Sequence, residues 1–85
     1  MRISKTTQDK LHDLLRAQSY VVRYERGSFH GGYCIVKEQR TIILNKFHPL
    51  ESKINLLLDI IRQLEFDPAL LSEEQQHLLA SILKP

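Results

Sequence analysis

The segment LESKINLLLDIIRQLE, residues 50–65, constrains the fold more than any other part of the chain. Projected at about 100° per residue, its polar side chains form one stripe and its apolar side chains fill a wide remaining arc. The polar stripe contains Ser52, Asn55, Asp59, Arg62 and Gln63, and the apolar arc contains Ile54, Leu56, Leu57, Leu58, Ile60, Ile61 and Leu64. Pro49 suits the first helical turn, because its missing N–H has no partner there. We therefore predict a helix over 50–65 that is covered on two sides, by a sheet and by another helix.

A short amphipathic helix is predicted near the N-terminus, in TTQDKLHDLLRAQ at residues 6–18. Thr6 or Thr7 serves as the capping residue. The apolar stripe is narrow and consists of Leu11, Leu14 and Leu15. His12 here, and His77 in the C-terminal segment, have no Cys or second His at ligand spacing, so we expect exposed or capping histidines.

A third helix is predicted at the C-terminal end. Asp67-Pro68 stops the long helix, because the residue before a proline is pushed out of helical geometry. Ser72 and Gln75 then form a capping-box pattern, and apolar residues repeat at helical spacing up to about Leu83.

Between residues 20 and 45 the apolar pattern has a period of two, which is typical of strands. In YVVRYERG, residues 20–27, one face carries Tyr20, Val22 and Tyr24, and the other carries Val21, Arg23 and Glu25. YCIVK (33–37) and RTIILN (40–45) follow, joined by a four-residue turn of type I geometry from Lys37 to Arg40. We predict an α+β fold in the order α-β-β-β-α-α, in which a three-stranded antiparallel meander is packed by helices, as a single domain over residues 1–85.

FHGGYC, residues 29–34, joins the first two strands and is predicted to form a hairpin. Gly27, Gly31 and Gly32 are all the glycines of the chain. Their clustering indicates positive φ angles, a bulge, or a close approach by another segment. That segment is either the protein's own helix or a peptide laid along the strand edge, which is a recurrent binding mode.

Cys34 is the only cysteine, so an internal disulfide is excluded. The N-terminal residues MRISKTTQDKL lack the apolar run of a signal peptide, and the longest apolar runs are far short of the ~20 residues of a membrane-spanning helix. We therefore expect a cytoplasmic protein that does not enter the membrane.

Cys34 and the nearby histidines raise the alternative of a metal- or thiol-dependent enzyme. His30 stands four residues before Cys34, and an extended strand separates such residues by about 13 Å, which is too far for shared coordination. A bulge at the glycines, or an approach by His48, would shorten that distance. In the strand pattern, however, Cys34 reads as core filler beside Val36. We predict no catalytic residue, no metal and no cofactor.

Single-stranded nucleic-acid binding is a second alternative, because aromatic and basic residues share residues 20–47. The aromatics are Tyr20, Tyr24, Phe29, Tyr33 and Phe47, and the bases are Arg23, Arg26, Lys37, Arg40 and Lys46. Aromatics on a sheet flanked by cations stack bases and neutralise phosphates. Residues 1–46 hold nine Lys or Arg against four acids, and residues 47–85 hold three against six. This asymmetry is modest for a nucleic-acid binder.

Residues 26–65, RGSFHGGYCIVKEQRTIILNKFHPLESKINLLLDIIRQLE, resemble a family of small uncharacterised bacterial proteins that share an RGxFxGGYC…LNK…P pattern. The resemblance implies no activity. The order strand, strand, "ILN", proline, long helix is also similar to the core of minimal zincin metallopeptidases. Counting from Asn45 places their HExxH motif at DIIRQ, where Asp59 and Gln63 stand for the histidines and Ile60 for the glutamate. The resemblance therefore implies a scaffold without zinc ligands or a general base.

The leading functional prediction is a non-enzymatic cytoplasmic interaction or regulatory module. It binds a protein partner through the glycine-rich hairpin and the sheet edge. The alternative partner is a second copy of the chain, because a homodimer would bury part of the wide apolar arc of the 50–65 helix. The candidate binding residues are Arg26, Phe29, His30, Tyr33, Arg40, Lys46 and His48.

Overall fold

A computed structural model describes residues 1–27 and 30–84 of the chain. The main elements are α1 (Lys5–Ala17), β1 (Val21–Glu25), β2 (Tyr33–Val36), β3 (Thr41–Asn45), α2 (Leu50–Gln63) and α3 (Glu73–Leu83). Short 3₁₀ turns cover His30–Gly32, Lys37–Gln39 and Pro68–Leu70. The protein is α+β, and the predicted sequence of three helices and three strands is confirmed.

The sheet is mixed, with β3 in the centre. β1 pairs with β3 in parallel and β2 pairs with β3 antiparallel, so the strand order is β1-β3-β2. The prediction of a purely antiparallel meander is therefore wrong. The four-residue β2–β3 turn is confirmed, because the Arg40 N–H donates to the Lys37 carbonyl at 3.1 Å.

The prediction of a hairpin between the first two strands is wrong. β1 and β2 are not neighbours but lie at the two opposite edges of the sheet, and Phe29 of FHGGYC lies outside the described residues. β3 then returns between them, where Ile42 and Leu44 are completely buried. The strand with two completely buried side chains thus takes the position with a neighbour on each side, which alternation alone does not specify.

All three helices contribute to one core on a single face of the sheet. Strand residues of this face are Val22, Tyr24, Tyr33, Ile35, Ile42 and Leu44, and the helices add Leu11, Leu14, Leu15, Ile54, Leu57, Ile60, Ile61 and Ile82. α1 packs against β1 and α2, and α3 packs against α2. The wide apolar arc of α2 therefore packs against α1 and α3, so the predicted cover by another helix is confirmed. No helix within the described ranges has the length and apolarity needed to span a membrane.

The helix ends follow their capping residues. α1 begins two or three residues earlier than predicted, because Ser4 Oγ, not Thr6 or Thr7, accepts the capping hydrogen bond, from the Thr7 N–H at 3.1 Å. α2 begins directly after Pro49. α3 has the predicted capping box, in which Ser72 and Gln75 exchange side chain to backbone hydrogen bonds.

Candidate functional site

The hydrogen bonds between β1 and β3 fix the direction of every backbone group in the sheet. The Val21 N–H donates to the Arg40 carbonyl at 2.8 Å, and the Lys46 N–H donates to the Glu25 carbonyl at 3.0 Å. Because backbone groups alternate in direction along a strand, the even-numbered residues of β3 bond to β1. The odd-numbered residues of β3 therefore point toward β2.

The outer edge of β2 consequently carries backbone groups that no strand uses. The register pairs Cys34 with Ile43, so Cys34 and Val36 direct their N–H and C=O groups toward β3. Tyr33 and Ile35 direct theirs away from the sheet, and no strand of residues 1–27 or 30–84 pairs with them. Such an edge is a template for an added strand.

One face of the sheet lies outside the core. This open face is formed by Val21, Arg23, Glu25, Cys34, Val36, Thr41, Ile43 and Asn45, which alternate with the core residues. Val21 is 53% exposed, and Arg23 and Glu25 form an ion pair at 2.8 Å. Cys34 is partly exposed here, so its predicted role as core filler is wrong. The sequence placed Cys34 and Val36 on one face correctly, but it could not show which face the helices cover.

A basic-aromatic cluster of Arg26, Lys46 and Phe47 lies where β1 and β3 end. The Arg26 guanidinium is 5.6 Å from the centre of the Phe47 ring, and Lys46 Nζ is 5.3 Å from it. The Phe47 N–H donates to Asn45 Oδ1 at 2.9 Å, which makes a side chain-capped turn ahead of α2. Phe47 is 64% exposed. Phe47 was named among the aromatic residues of the nucleic-acid alternative but not among the candidate protein-binding residues.

His48 lies close to the glycine-rich segment. Its Nε2 is 3.1 Å from the position that a Cβ would take on Gly32, and Leu56 Cδ1 is 3.0 Å from the same position. Gly31 and Gly32 both have positive φ, 79° and 90°. The predicted reasons for these two glycines, positive φ and a close approach by the protein's own helix, are both present at Gly32.

The remaining predicted binding residues lie apart from this cluster. Tyr33 points to the core face, and its hydroxyl accepts a hydrogen bond from Gln63 Nε2 at 2.5 Å. Arg40 lies at the opposite end of the sheet, with its guanidinium 4.4 Å from the centre of the Tyr20 ring. It also donates to the Gln18 carbonyl. Phe29 and the side chain of His30 lie outside the described part of the chain.

Of the residues considered for enzyme chemistry, the structure describes the side chains of Cys34 and His48. Cys34 lies on the open face, whereas His48 lies beside Leu56 of α2. Within the described residues there is no group of three or more His, Cys, Asp and Glu side chains that could hold a metal ion. At the positions aligned with a zincin motif, Asp59 is 3.4 Å from Arg62 Nη1 and Gln63 bonds to Tyr33. The strand that ends in Asn45 is the central strand, not an edge.

A buried polar network between α1 and β1 was missed by the sequence analysis. Tyr24 Oη is 2.6 Å from His12 Nε2 and accepts a hydrogen bond from Gln8 Nε2 at 3.1 Å. His12 is buried, so its prediction as exposed or capping is wrong. Burial, together with the cations Arg16 and Lys5, lowers the pKa of His12 below its ordinary value, which favours a neutral ring that accepts the phenolic proton. Burial raises the pKa of Tyr24. The available signal was the helical spacing that places Gln8 and His12 on the side of Leu15.

Comparison with known proteins returned no match: no family model, no curated protein and no solved structure is similar to this chain.

Proposed function

We propose that this protein is a non-enzymatic interaction module that binds a protein partner by adding a strand of that partner to the outer edge of β2. The observation that carries the proposal is the pair of outward-facing backbone positions at Tyr33 and Ile35. In strand addition, main-chain hydrogen bonds provide affinity and alternating side chains provide specificity. The lone cysteine favours the reducing cytoplasm as the place where it acts.

The surroundings of this edge support docking of a polypeptide. An added strand would place half of its side chains beside Cys34 and Val36 on the open face, where Ile43 adds apolar area. Burying such side chains stabilises a complex by about 25 cal/mol for each Å² of apolar surface removed from water. The other half of its side chains would lie beside Tyr33 and Ile35, at the margin of the core.

The test is photo-crosslinking in cells of the organism that encodes the chain. A benzophenone amino acid replaces the exposed Lys37, which follows β2 directly. We expect discrete adducts whose crosslinked peptides are identified by mass spectrometry. Ile35→Pro should abolish them, since proline removes the outward N–H and projects a ring from the edge.

Val22→Pro is the matched control. Val22 is also a partly buried aliphatic residue, and the β1–β3 bonds show that its N–H also points outward, at the opposite edge of the sheet. It should leave the adducts intact. Adducts that persist with Ile35→Pro, or that disappear equally with Val22→Pro, would contradict docking on β2.

Single-stranded nucleic-acid binding is a second candidate, which the basic-aromatic cluster favours. A base stacked on an exposed aromatic ring contributes about 1–3 kcal/mol, and cations beside the ring neutralise phosphates. Fluorescence anisotropy with a labelled oligothymidine and oligouridine tests this function. We expect Phe47→Ala to weaken binding, Lys46→Gln to reduce the salt slope by about 1, and Leu70→Ala, at another exposed apolar residue, to change neither. Equal affinity for all three variants would contradict it.

A further inference from the structure

We infer that the partner strand is β2 of a second copy of this chain, paired antiparallel across a twofold axis at Cys34. The inference rests on the proposed function, because it identifies the partner at the same edge. Both copies then contribute the same patch, as in most homodimers. The two sheets join into one, in the order β1-β3-β2-β2-β3-β1.

The outward backbone groups select this register. In an antiparallel pair, outward residues must face outward residues. With the axis at Cys34, Tyr33 of each copy faces Ile35 of the other, so every outward residue of β2 is paired. Moving the axis to Tyr33 or to Ile35 leaves only one such pair within the strand. With the axis at Tyr33, Ile35 would have to pair with Gly31, which has φ 79°. With the axis at Ile35, Tyr33 would have to pair with Lys37, which begins a 3₁₀ turn.

The charges on the two sheet edges favour self-pairing through β2. Edge strands are usually protected from pairing by charged side chains, proline or bulges. β1 carries Arg23 and Glu25, whereas β2, YCIV, carries no charge and no proline. Two copies of β2 therefore meet without like charges opposite each other, and their open faces become continuous.

The register makes a geometric prediction about the cysteines. Cys34 directs its backbone groups to β3, so Cys34 and its counterpart form a non-hydrogen-bonded pair, with Cα atoms about 4.5 Å apart. Disulfides form across Cα separations of roughly 4.4–6.8 Å. The thiol is thus a reporter of the register. Diamide is a suitable oxidant, since it takes up the two protons and two electrons that the thiols release as the S–S bond forms.

The first experiment compares Cys34 with a thiol elsewhere on the same face. We expect wild-type protein to form a disulfide dimer rapidly with diamide in its folded state. The variant Cys34→Ser/Val21→Cys carries its thiol at a more exposed position on β1, and in the dimer the two β1 strands are separated by about five strand spacings of ~4.8 Å. It should crosslink only at the rate of random collision. Equal rates for the two proteins would overturn the inference.

The second experiment measures mass and amide exchange without oxidant. Sedimentation should show twice the monomer mass for wild type and for Val22→Pro, and the monomer mass for Ile35→Pro, with circular dichroism confirming that each variant is folded. Should Ile35→Pro not fold, wild type still provides the test. In wild type, hydrogen exchange at the Tyr33 and Ile35 amides should slow as the concentration rises. Amides that exchange at the same rate at every concentration would overturn self-pairing.

Different results would contradict the docking of a partner strand on β2 and the pairing of β2 with a second copy. A monomeric wild type whose Lys37 photoadducts contain other proteins, and lose them with Ile35→Pro, overturns self-pairing and leaves the docking function intact. A monomer without β2-dependent adducts overturns both. Adducts between two copies of the chain, joined near residue 37, support both.

Discussion

The side chain of Gln18 and the backbone of Asp67 form a reciprocal pair of hydrogen bonds. Gln18 Nε2 donates to the Asp67 carbonyl at 3.1 Å, and the Asp67 N–H donates to Gln18 Oε1 at 2.9 Å. Gln18 is only 4% exposed and lies just after α1, whereas Asp67 lies between α2 and α3. The side-chain amide of Gln18 thus holds the α2–α3 connection against the C-terminal end of α1.

We predict that Gln18→Ala lowers the free energy of unfolding by about 1–3 kcal/mol, because both backbone groups of Asp67 lose their partner. Chemical denaturation followed by circular dichroism measures the change. Gln76→Ala is the control: Gln76 Nε2 also donates to carbonyls of this connection, those of Pro68 and Leu71, but its side chain is exposed. Equal losses for the two variants would contradict the role given to Gln18.

The network around Tyr24 gives a second prediction. Tyr24→Phe keeps the ring and removes the hydroxyl, which leaves the polar side chains of Gln8 and His12 buried without that partner. We expect a loss of about 1–3 kcal/mol in the free energy of unfolding, since buried polar groups without partners cost their desolvation. Tyr33→Phe is the control, because its hydroxyl bonds only to the exposed Gln63. A larger loss at Tyr33 would contradict this account.

The lowered pKa of His12 predicts that stability depends on pH. Because the folded state disfavours the proton, the unfolded state binds more protons below its own pKa of about 6.5. The stabilisation is fully present above that pH. It is lost as the pH falls from there to the folded-state pKa.

Denaturation midpoints at a series of pH values measure this effect. We expect His12→Gln to reduce the pH dependence in that window relative to wild type, since glutamine has no titrating group. An NMR titration of the His12 ring should give a midpoint below that of a histidine in an unstructured peptide. An identical pH profile for variant and wild type would contradict the assignment.

The helices and the faces of the strands could be predicted because each depends on residues close in sequence. Ser72 and Gln75 specify the start of α3 by themselves, and the period of two assigns Val22 and Val21 to opposite faces. The strand order could not be predicted. It depends on contacts between residues far apart in sequence, and one of these is the hydrogen bond that Asn45 Nδ2 donates to the Gly27 carbonyl at 2.9 Å. This contact joins residues 18 positions apart.

The binding residues were predicted from local composition, which explains why only some of them come together. Arg26 and Lys46 meet at Phe47 because β1 and β3 are parallel neighbours and end at the same side of the sheet. Arg40 belongs to the same basic stretch but directly precedes β3, so it lies at the other end of the sheet. The free edge at Ile35 followed only from the register, since no feature of YCIVK distinguishes an edge strand from a central one.

The two adjacent glycines provide the last prediction, because they differ in one respect. Both have positive φ, so alanine at either position strains the backbone by roughly 1–2 kcal/mol. A Cβ on Gly31 meets nothing within 4 Å, whereas a Cβ on Gly32 meets Leu56 and His48 at 3.0 and 3.1 Å. Gly32→Ala must also displace these neighbours, which adds about 1–3 kcal/mol.

Chemical denaturation of Gly31→Ala and Gly32→Ala should therefore give a clearly larger loss of stability for Gly32. The double variant Gly32→Ala/Leu56→Ala distinguishes crowding from backbone strain, since it removes the nearest obstructing atom. We expect its loss to be smaller than the sum of the two single losses, because the residues are in contact. Strictly additive losses would show that crowding by Leu56 does not contribute to the cost of a Cβ on Gly32.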